Sequence, residues 1–281
     1  MNQKLVTSNG AVICTESFGH PAHPAVLLIM GAQSSLVWWE EAFCHYLADE
    51  GRFVIRYDNR DTGLSTTCEP GSPDYTFEDM ADDAIHVLDS YGIEQAHIVG
   101  MSMGGMLTQM TALRHKSRVR TITLLATSNF APHLPPMEAK IMDYFSNAGQ
   151  IDWMDTQAVI DFNISKSKLL SGSKNPFDLP RVSLLAQEEA RRSPRMESIN
   201  NHALVTGGEH YLTRTSEIDV PALIIHGTED PIIPYAHGQH LTDTIPGAKL
   251  VTLDGTGHEL HHHDWDAIIE AIKDHTSIKS L

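Results

Sequence analysis

A chain of 281 residues, 41% of them apolar, is long enough to bury a sizeable core, as one α/β domain or as a core with a subdomain. Its 36 acidic and 20 basic side chains leave a net charge of −16, which disfavours nucleic acid and anionic membranes as partners. Three cysteines (Cys14, Cys44, Cys68) make no disulfide framework, "MNQKLVTSNG" lacks the apolar core of a signal peptide, and no apolar run is long enough for a membrane span, so a cytoplasmic location is expected.

In chain order, "AVLLIMG" (25–31) is a continuous apolar run ended by glycine, as expected of a strand covered on both faces. "FVIRYD" (53–58), "QAHIVG" (95–100) and "VRTITLLA" (119–126) repeat the theme, with helical segments between them. One such segment opens at Thr76, with Asp79 three residues on, and carries Phe77, Met80, Ile85 and Leu88 at helical spacing up to Gly92. The alternation predicts a mostly parallel sheet flanked by helices.

After residue 128 the pattern breaks. Pro132, Pro135 and Pro136 are followed by amphipathic stretches at 137–147, 153–169, 179–192 and 196–205, without a convincing strand. Residues 129–213 hold ten acidic and eight basic side chains, so this segment is nearly neutral in an acidic chain. Strand-like runs return at "VPALIIHG" (220–227) and "AKLVTLDG" (248–255). The reading is a core formed by 1–128 and 214–281, with 129–213 inserted as a helical cap over the carboxyl edge of the sheet.

"AHIVGMSMGGMLTQM" (96–110) puts Ser102 at the seam of a strand and a helix, with Gly100 before it and Gly104 and Gly105 after it. Glycines let strand and helix approach closely around a sharp turn, and the helix N-terminus favours negative charge at that point. In this strand–turn–helix context G-x-S-x-G reads as a nucleophile elbow; the alternatives are a serine helix cap and an anion site without chemistry. A serine hydroxyl needs a base, and the base needs an orienting carboxylate. Asp230, just past "ALIIHGTE", and His258, in the glycine-flanked loop after "LVTLDG", supply them in the order nucleophile, acid, histidine. Glu229 and Asp254 compete for the acid role. His226 with His261, His262 and His263 invites a metal reading, but three consecutive histidines cannot converge on one ion, so no metal and no cofactor are expected. The oxyanion is assigned to the backbone N–H groups of Met103 and of Ala32, in the loop "MGAQSS", with Gln33 in reserve.

Together these residues resemble the α/β-hydrolase superfamily over nearly the whole chain. The likeness is carried by "LLIMGAQSSLVWW", "VIRYDNRDTGLSTT", "HIVGMSMGGMLTQ", "ALIIHGTEDPIIP" and "LDGTGHE". Within it, the first three segments are similar to the aclacinomycin methylesterase group, which removes methyl from a carboxylate ester on a polyketide glycoside. Like that group, the chain has Met30-Gly31 where many relatives have His-Gly; unlike it, Ala32 stands in place of a second glycine. The resemblance implies an α/β-hydrolase fold with a serine-esterase triad.

The expected activity is hydrolysis of carboxylic esters of small to medium, largely neutral molecules through an acyl-enzyme. The alternatives are a methylesterase for a polyketide-like ester, a carbon–carbon bond hydrolase or perhydrolase, and a non-catalytic small-molecule receptor. Trp38, Phe130, Met137, Met142, Phe145 and Trp153 are candidate pocket residues. In "NRDTG" (59–63) and the preceding Asp58, the charges of Asp58, Arg60 and Asp61 are expected to brace a turn beside the site. The oligomeric state is left open.

Overall fold

The computed structural model describes residues 2–146 and 151–277. The predicted strands form as β3 (Ala25–Ile29), β4 (Phe53–Tyr57), β5 (Ala96–Met101), β6 (Val119–Leu125), β7 (Ala222–Gly227) and β8 (Lys249–Leu253). Ahead of them lie two strands the sequence reading did not identify, β1 (Asn2–Ser8) and β2 (Ala11–Phe18), paired as a hairpin. Asn9 (φ 44°) and Gly10 (φ 84°) make its turn, the Asn-Gly pair that a two-residue hairpin favours.

All eight strands join one sheet in the order β1-β2-β4-β3-β5-β6-β7-β8. Only the β1–β2 and β2–β4 pairs are antiparallel; from β4 to β8 the sheet is parallel. Helices α1 (Glu41–Asp49) and α9 (Trp265–Thr276) cover one face, where Trp39, Phe43, Leu47, Trp265 and Ile268 pack on Val26, Leu28 and Val99. The other face carries α2 (Phe77–Ser90), α3 (Met103–Arg114) and α8 (Ala236–Thr244), which pack on Leu27, Ile29 and Ile98. Successive residues of β3 and β5 thus serve opposite cores, which is why both strands read as unbroken apolar runs. Thr76 caps α2 as expected, in a reciprocal pair with Asp79.

The segment between β6 and β7 is a helical cap. It contains α4 (Ala139–Ser146), α5 (Thr156–Leu170), α6 (Leu179–Arg192) and α7 (Glu209–Leu212). The predicted end of the first cap helix at residue 147 lies outside the described residues. The last predicted stretch is a 3-10 helix over Met196–Ala203, because its polar side chains bond to the core: Ser198 Oγ donates to the Cys68 carbonyl at 2.7 Å, and Asn201 Nδ2 donates to Asp61 at 3.0 Å. Among the described residues no helix is long and apolar enough to cross a membrane.

β3 lies between β4 and β5, so the chain leaves these strands for opposite faces, and the loops after β3 and β5 diverge around a crevice at the carboxyl edge. The turn after β5 is close-packed. A Cβ on Gly104 would overlap the Ile29 carbonyl oxygen, and one on Gly105 would overlap the Thr127 side chain. Gly104→Ala is expected to destabilise the fold by about 2–3 kcal/mol in urea unfolding, through overpacking against backbone. A change below about 0.5 kcal/mol would show that strand and helix can part without cost.

Candidate active site

The site begins with a strained turn. Ser102 follows β5 with φ 54° and ψ −122°, a conformation that non-glycine residues rarely adopt. Two backbone bonds and one side chain hold it there: Ser102 N donates to Leu125 O at 2.9 Å, while Ser102 O accepts from Gly105 N at 2.9 Å and from Thr127 Oγ1 at 2.6 Å. Although Ser102 occupies the N-cap position of α3, its side chain caps nothing. Among the described residues its Oγ makes no hydrogen bond, so the helix-cap alternative fails on geometry.

Asp230 lies in the loop after β7, 3% exposed. Pro231 has no N–H, and the next two backbone N–H groups, Ile232 and Ile233, both donate to Asp230 Oδ1, at 2.9 and 2.8 Å. Oδ2 meets His258 Nδ1 at 2.7 Å, with His226 Nε2 at 3.5 Å. Burial pushes this carboxyl up, but the attraction of His258 and the contacts from His226 and His258 outweigh it and hold Asp230 below the ordinary carboxylate range. The two competing acids turn elsewhere. Glu229 accepts from the Ser173 N–H and hydroxyl, both at 2.7 Å, and Asp254 accepts from Thr228 Oγ1 at 3.2 Å.

His258 is 8% exposed, and the His258 N–H donates to the Leu170 carbonyl at the end of α5 at 2.8 Å. With Nδ1 occupied by Asp230, Nε2 is the ring nitrogen left open to the cavity. Ser102 Oγ and His258 Nε2 face the same cavity and are not hydrogen-bonded to each other. An imidazole oriented by a buried carboxylate, beside an unbonded hydroxyl, is equipped to take a proton when a substrate draws the two together.

The loop after β3 closes the other side. A Cβ on Gly31 would stand 3.0 Å from Ser102 Cβ, so glycine is what permits this approach. The cap fixes the loop. Gln33 has φ 57°, its N–H donates to His202 Nδ1 at 3.0 Å, and its side-chain amide donates to Asn200 at 3.1 Å. Ser35 N and Oγ donate to Glu189 Oε2 at 3.2 and 2.6 Å, and Leu36 N donates to Asp58 at 2.8 Å. The reserve donor Gln33 is therefore already committed to His202. Among the described residues the N–H groups of Ala32 and Met103 donate to no acceptor; the latter is one of the first donors of α3, which have no intrahelical partner.

These elements enclose a cavity of about 580 Å³ whose wall is largely apolar. Of the residues expected to line it, Trp38, Met137, Met142 and Phe145 do. Phe130 and Trp153 do not. Phe130 has a left-handed backbone (φ 52°) that turns it outward to 56% exposure against His237, and Trp153 packs edge-on to Phe162 inside the cap. The charged turn is braced, but not by its own members pairing: Asp58 pairs with Arg192 at 3.0 Å, Arg60 with Asp83 at 2.7 Å, and Asp61 accepts from Tyr75 at 2.7 Å and from Asn201. Side chains from α2 and the cap reach it instead. His226 donates to the Ile233 carbonyl at 2.7 Å and so supports the acid loop, while His261 stacks on His262 and His263 meets both at steeper angles. Among the described residues no group of three or more His, Cys, Asp or Glu could hold a metal ion.

A sheet covered on both faces, a serine on a strained elbow, a histidine–aspartate pair from later loops and a glycine-bounded loop opposite define an α/β-hydrolase of the serine type. A family model described as alpha/beta hydrolase fold matches residues 24–264, and the chain belongs to that family. It is 31% identical over 98% of both chains to rhodomycin D methylesterase DnrP of Streptomyces peucetius, and equally to rhodomycin D methylesterase DauP of Streptomyces sp. strain C5. Among solved structures, the esterase RhEst1 from Rhodococcus sp. ECU1013 superposes with a TM-score of 0.78 at 20% identity, covering 99% of both chains. The chain is an ester hydrolase, and its substrate is a small molecule.

His202, Asn200 and Glu189 escaped the sequence reading because no motif marks them; they meet the loop after β3 across more than 150 residues of chain. Burial holds His202 below its ordinary range, against the opposing pull of the Arg60 carbonyl and Asp61, so its Nε2–H donates to Arg60 O at 2.7 Å while bare Nδ1 accepts from Gln33. His202→Leu leaves a buried N–H and a buried carbonyl unpaired and is expected to cost about 2–3 kcal/mol in urea unfolding at pH 7.5. Because the folded value is lowered, the unfolded chain takes up this proton first on acidification. The stabilisation is complete above about pH 6.5 and is lost as the pH falls below that. The gap between wild type and His202→Leu should therefore narrow at about pH 5.5; a gap that widens on acidification would reverse the assigned protonation state.

Proposed function

We propose that this enzyme is a serine methylesterase that cleaves the methyl ester of a bulky, mainly apolar, polyketide-like carboxylic acid. The observation that carries the chemistry is the buried Asp230–His258 pair, 2.7 Å apart, whose free ring nitrogen opens onto the cavity that holds the unbonded Ser102 hydroxyl. The methyl ester, rather than small and medium esters in general, is favoured by 31% identity over 98% of the length of two rhodomycin D methylesterases. An apolar cavity of about 580 Å³ suits a multi-ring acid better than a short acyl chain.

In this reading the ester carbonyl enters with its oxygen toward the Ala32 and Met103 N–H groups, and its arrival draws Ser102 Oγ and His258 Nε2 together. Ser102 attacks while His258 takes the hydroxyl proton and Asp230 steadies the imidazolium. The two N–H groups receive the oxyanion. His258 returns the proton to methoxide, and methanol leaves. Water then enters, gives its proton to His258 and attacks the acyl-enzyme, and the acid is released as Ser102 regains its proton. The cap, taken as 129–213, covers the acid part of the substrate. Three free thiols, Cys14, Cys44 and Cys68, favour a cytoplasmic location.

The test is a panel of methyl, ethyl and p-nitrophenyl esters of one aromatic polycyclic acid. Wild type should turn over the methyl ester at least as well as the ethyl ester. Ser102→Ala and Asp230→Asn should each lose about 10⁴-fold in kcat on it. Undiminished turnover by Ser102→Ala would overturn the mechanism, and hydrolysis confined to the p-nitrophenyl ester would overturn the methylesterase assignment.

A further inference from the structure

Lys166 projects from α5 into the wall of the cavity with its side chain buried, the residue being 6% exposed. Buried lysines are ordinarily paired with a carboxylate. Among the described residues this one forms no ion pair, and its single hydrogen bond is Nζ to the Gln33 carbonyl at 3.3 Å. An ammonium carries three donors, so two remain unused in the wall of the cavity. The Phe162 ring, 5.7 Å from Nζ, adds attraction without accepting a hydrogen bond.

The nearby carboxylate does not use these donors. Glu189 spends Oε2 on Ser35, and its Oε1 has no partner, yet it lies close enough to offset part of the charge on Lys166. Burial is the larger effect and brings the ammonium down to about 8, so Lys166 stays a charged donor at neutral pH. The surrounding wall carries Glu40, Asp178 and Glu259 against Arg181, which pairs with Glu40 at 2.7 Å, in a chain of net charge −16. A second carboxylate on the substrate would be repelled. A neutral oxygen that only accepts would not.

The place of that oxygen follows from Gln33. Its carbonyl holds Lys166, and the preceding residue, Ala32, offers the N–H assigned to the ester carbonyl. The unused donors therefore sit in the same wall as that N–H and Ser102, and because the alcohol part of a methyl ester carries no further oxygen, a second oxygen that meets them belongs to the acid.

We propose that Lys166 is a specificity-determining residue that donates a hydrogen bond to a second, uncharged oxygen on the acid part of the substrate, as in a β-oxo ester. The inference rests on the esterase reading above and deepens it by naming the substrate class. A cap residue thereby reads the acid while the core cleaves the ester.

The experiment compares methyl 3-oxo-3-phenylpropanoate with methyl 3-phenylpropanoate, which lacks only the ketone oxygen. The readout is the ratio of the two kcat/KM values, in wild type and in Lys166→Met. Wild type should favour the oxo ester by about tenfold or more, the scale of a hydrogen bond to a charged group, and Lys166→Met should bring the ratio down by a similar factor. Lys166→Gln, which keeps a donor, should retain part of the preference, and it carries the test if the methionine variant does not fold. A merely structural role, bracing Gln33, would lower both substrates together and leave the ratio unmoved; that result overturns the proposal. A wild-type ratio near one overturns it as well while leaving the esterase reading standing. If wild type hydrolyses neither ester, the esterase reading falls and the proposal falls with it.

Discussion

The site depends on a backbone that a non-glycine residue ordinarily avoids. At φ 54° and ψ −122°, Ser102 stores strain on the order of 1–3 kcal/mol, which its surroundings must offset. They do so with hydrogen bonds from β6 and Thr127 and with glycine at 31, 100, 104 and 105, where any Cβ would crowd a neighbour. The turn delivers two things at once. The hydroxyl does not cap the helix it precedes, and in the proposed mechanism the first N–H group of that helix receives the oxyanion. Relax the turn, and hydroxyl and donor would be misplaced together.

Core and cap are not separable parts of this site. The loop bearing Ala32 is held from the cap by His202, Asn200 and Glu189, and from the core by Asp58, which itself pairs with Arg192 of the cap. The loop bearing His258 is also tied to the cap, through the Leu170 carbonyl and through Gly172, whose N–H donates to Glu259 at 2.9 Å. A large swing of the cap would break several buried hydrogen bonds, each costly to leave unpaired. Opening for substrate is therefore expected in smaller movements, and the cap helps to hold the loops that bear Ala32 and His258.

What was legible in the sequence follows from how local each signal is. The parallel strands, the Thr76 capping pair and the elbow glycines declare themselves within a few residues, so the class of fold could be read directly, and the motifs also named the three side chains on which the proposed chemistry rests. The Asn9-Gly10 hairpin was equally local and passed unread. The cap helices were legible from periodicity, but their inward faces were not: Phe130 and Trp153 looked as suited to a pocket as Met142 and Phe145. One left-handed residue and one internal aromatic contact separate the two outcomes, and neither has a one-dimensional signature. The brace of the charged turn was foreseen in kind but not in partners, since Asp83, Arg192 and Asn201 reach it from other elements. Lys166 carries no signal in the sequence, and only the fold places it against the Gln33 carbonyl.

The central claim is that Ser102, alone among the hydroxyls around the cavity, becomes a strong nucleophile. Its most direct test is stoichiometric reaction with a fluorophosphonate, followed by intact mass and peptide mapping. One adduct per chain, located at Ser102, abolished in Ser102→Ala and strongly slowed in Asp230→Asn, is the expected result. Modification of Ser34, Ser167 or Ser171, which share the same wall, or full ester turnover by protein that carries no adduct, would contradict it.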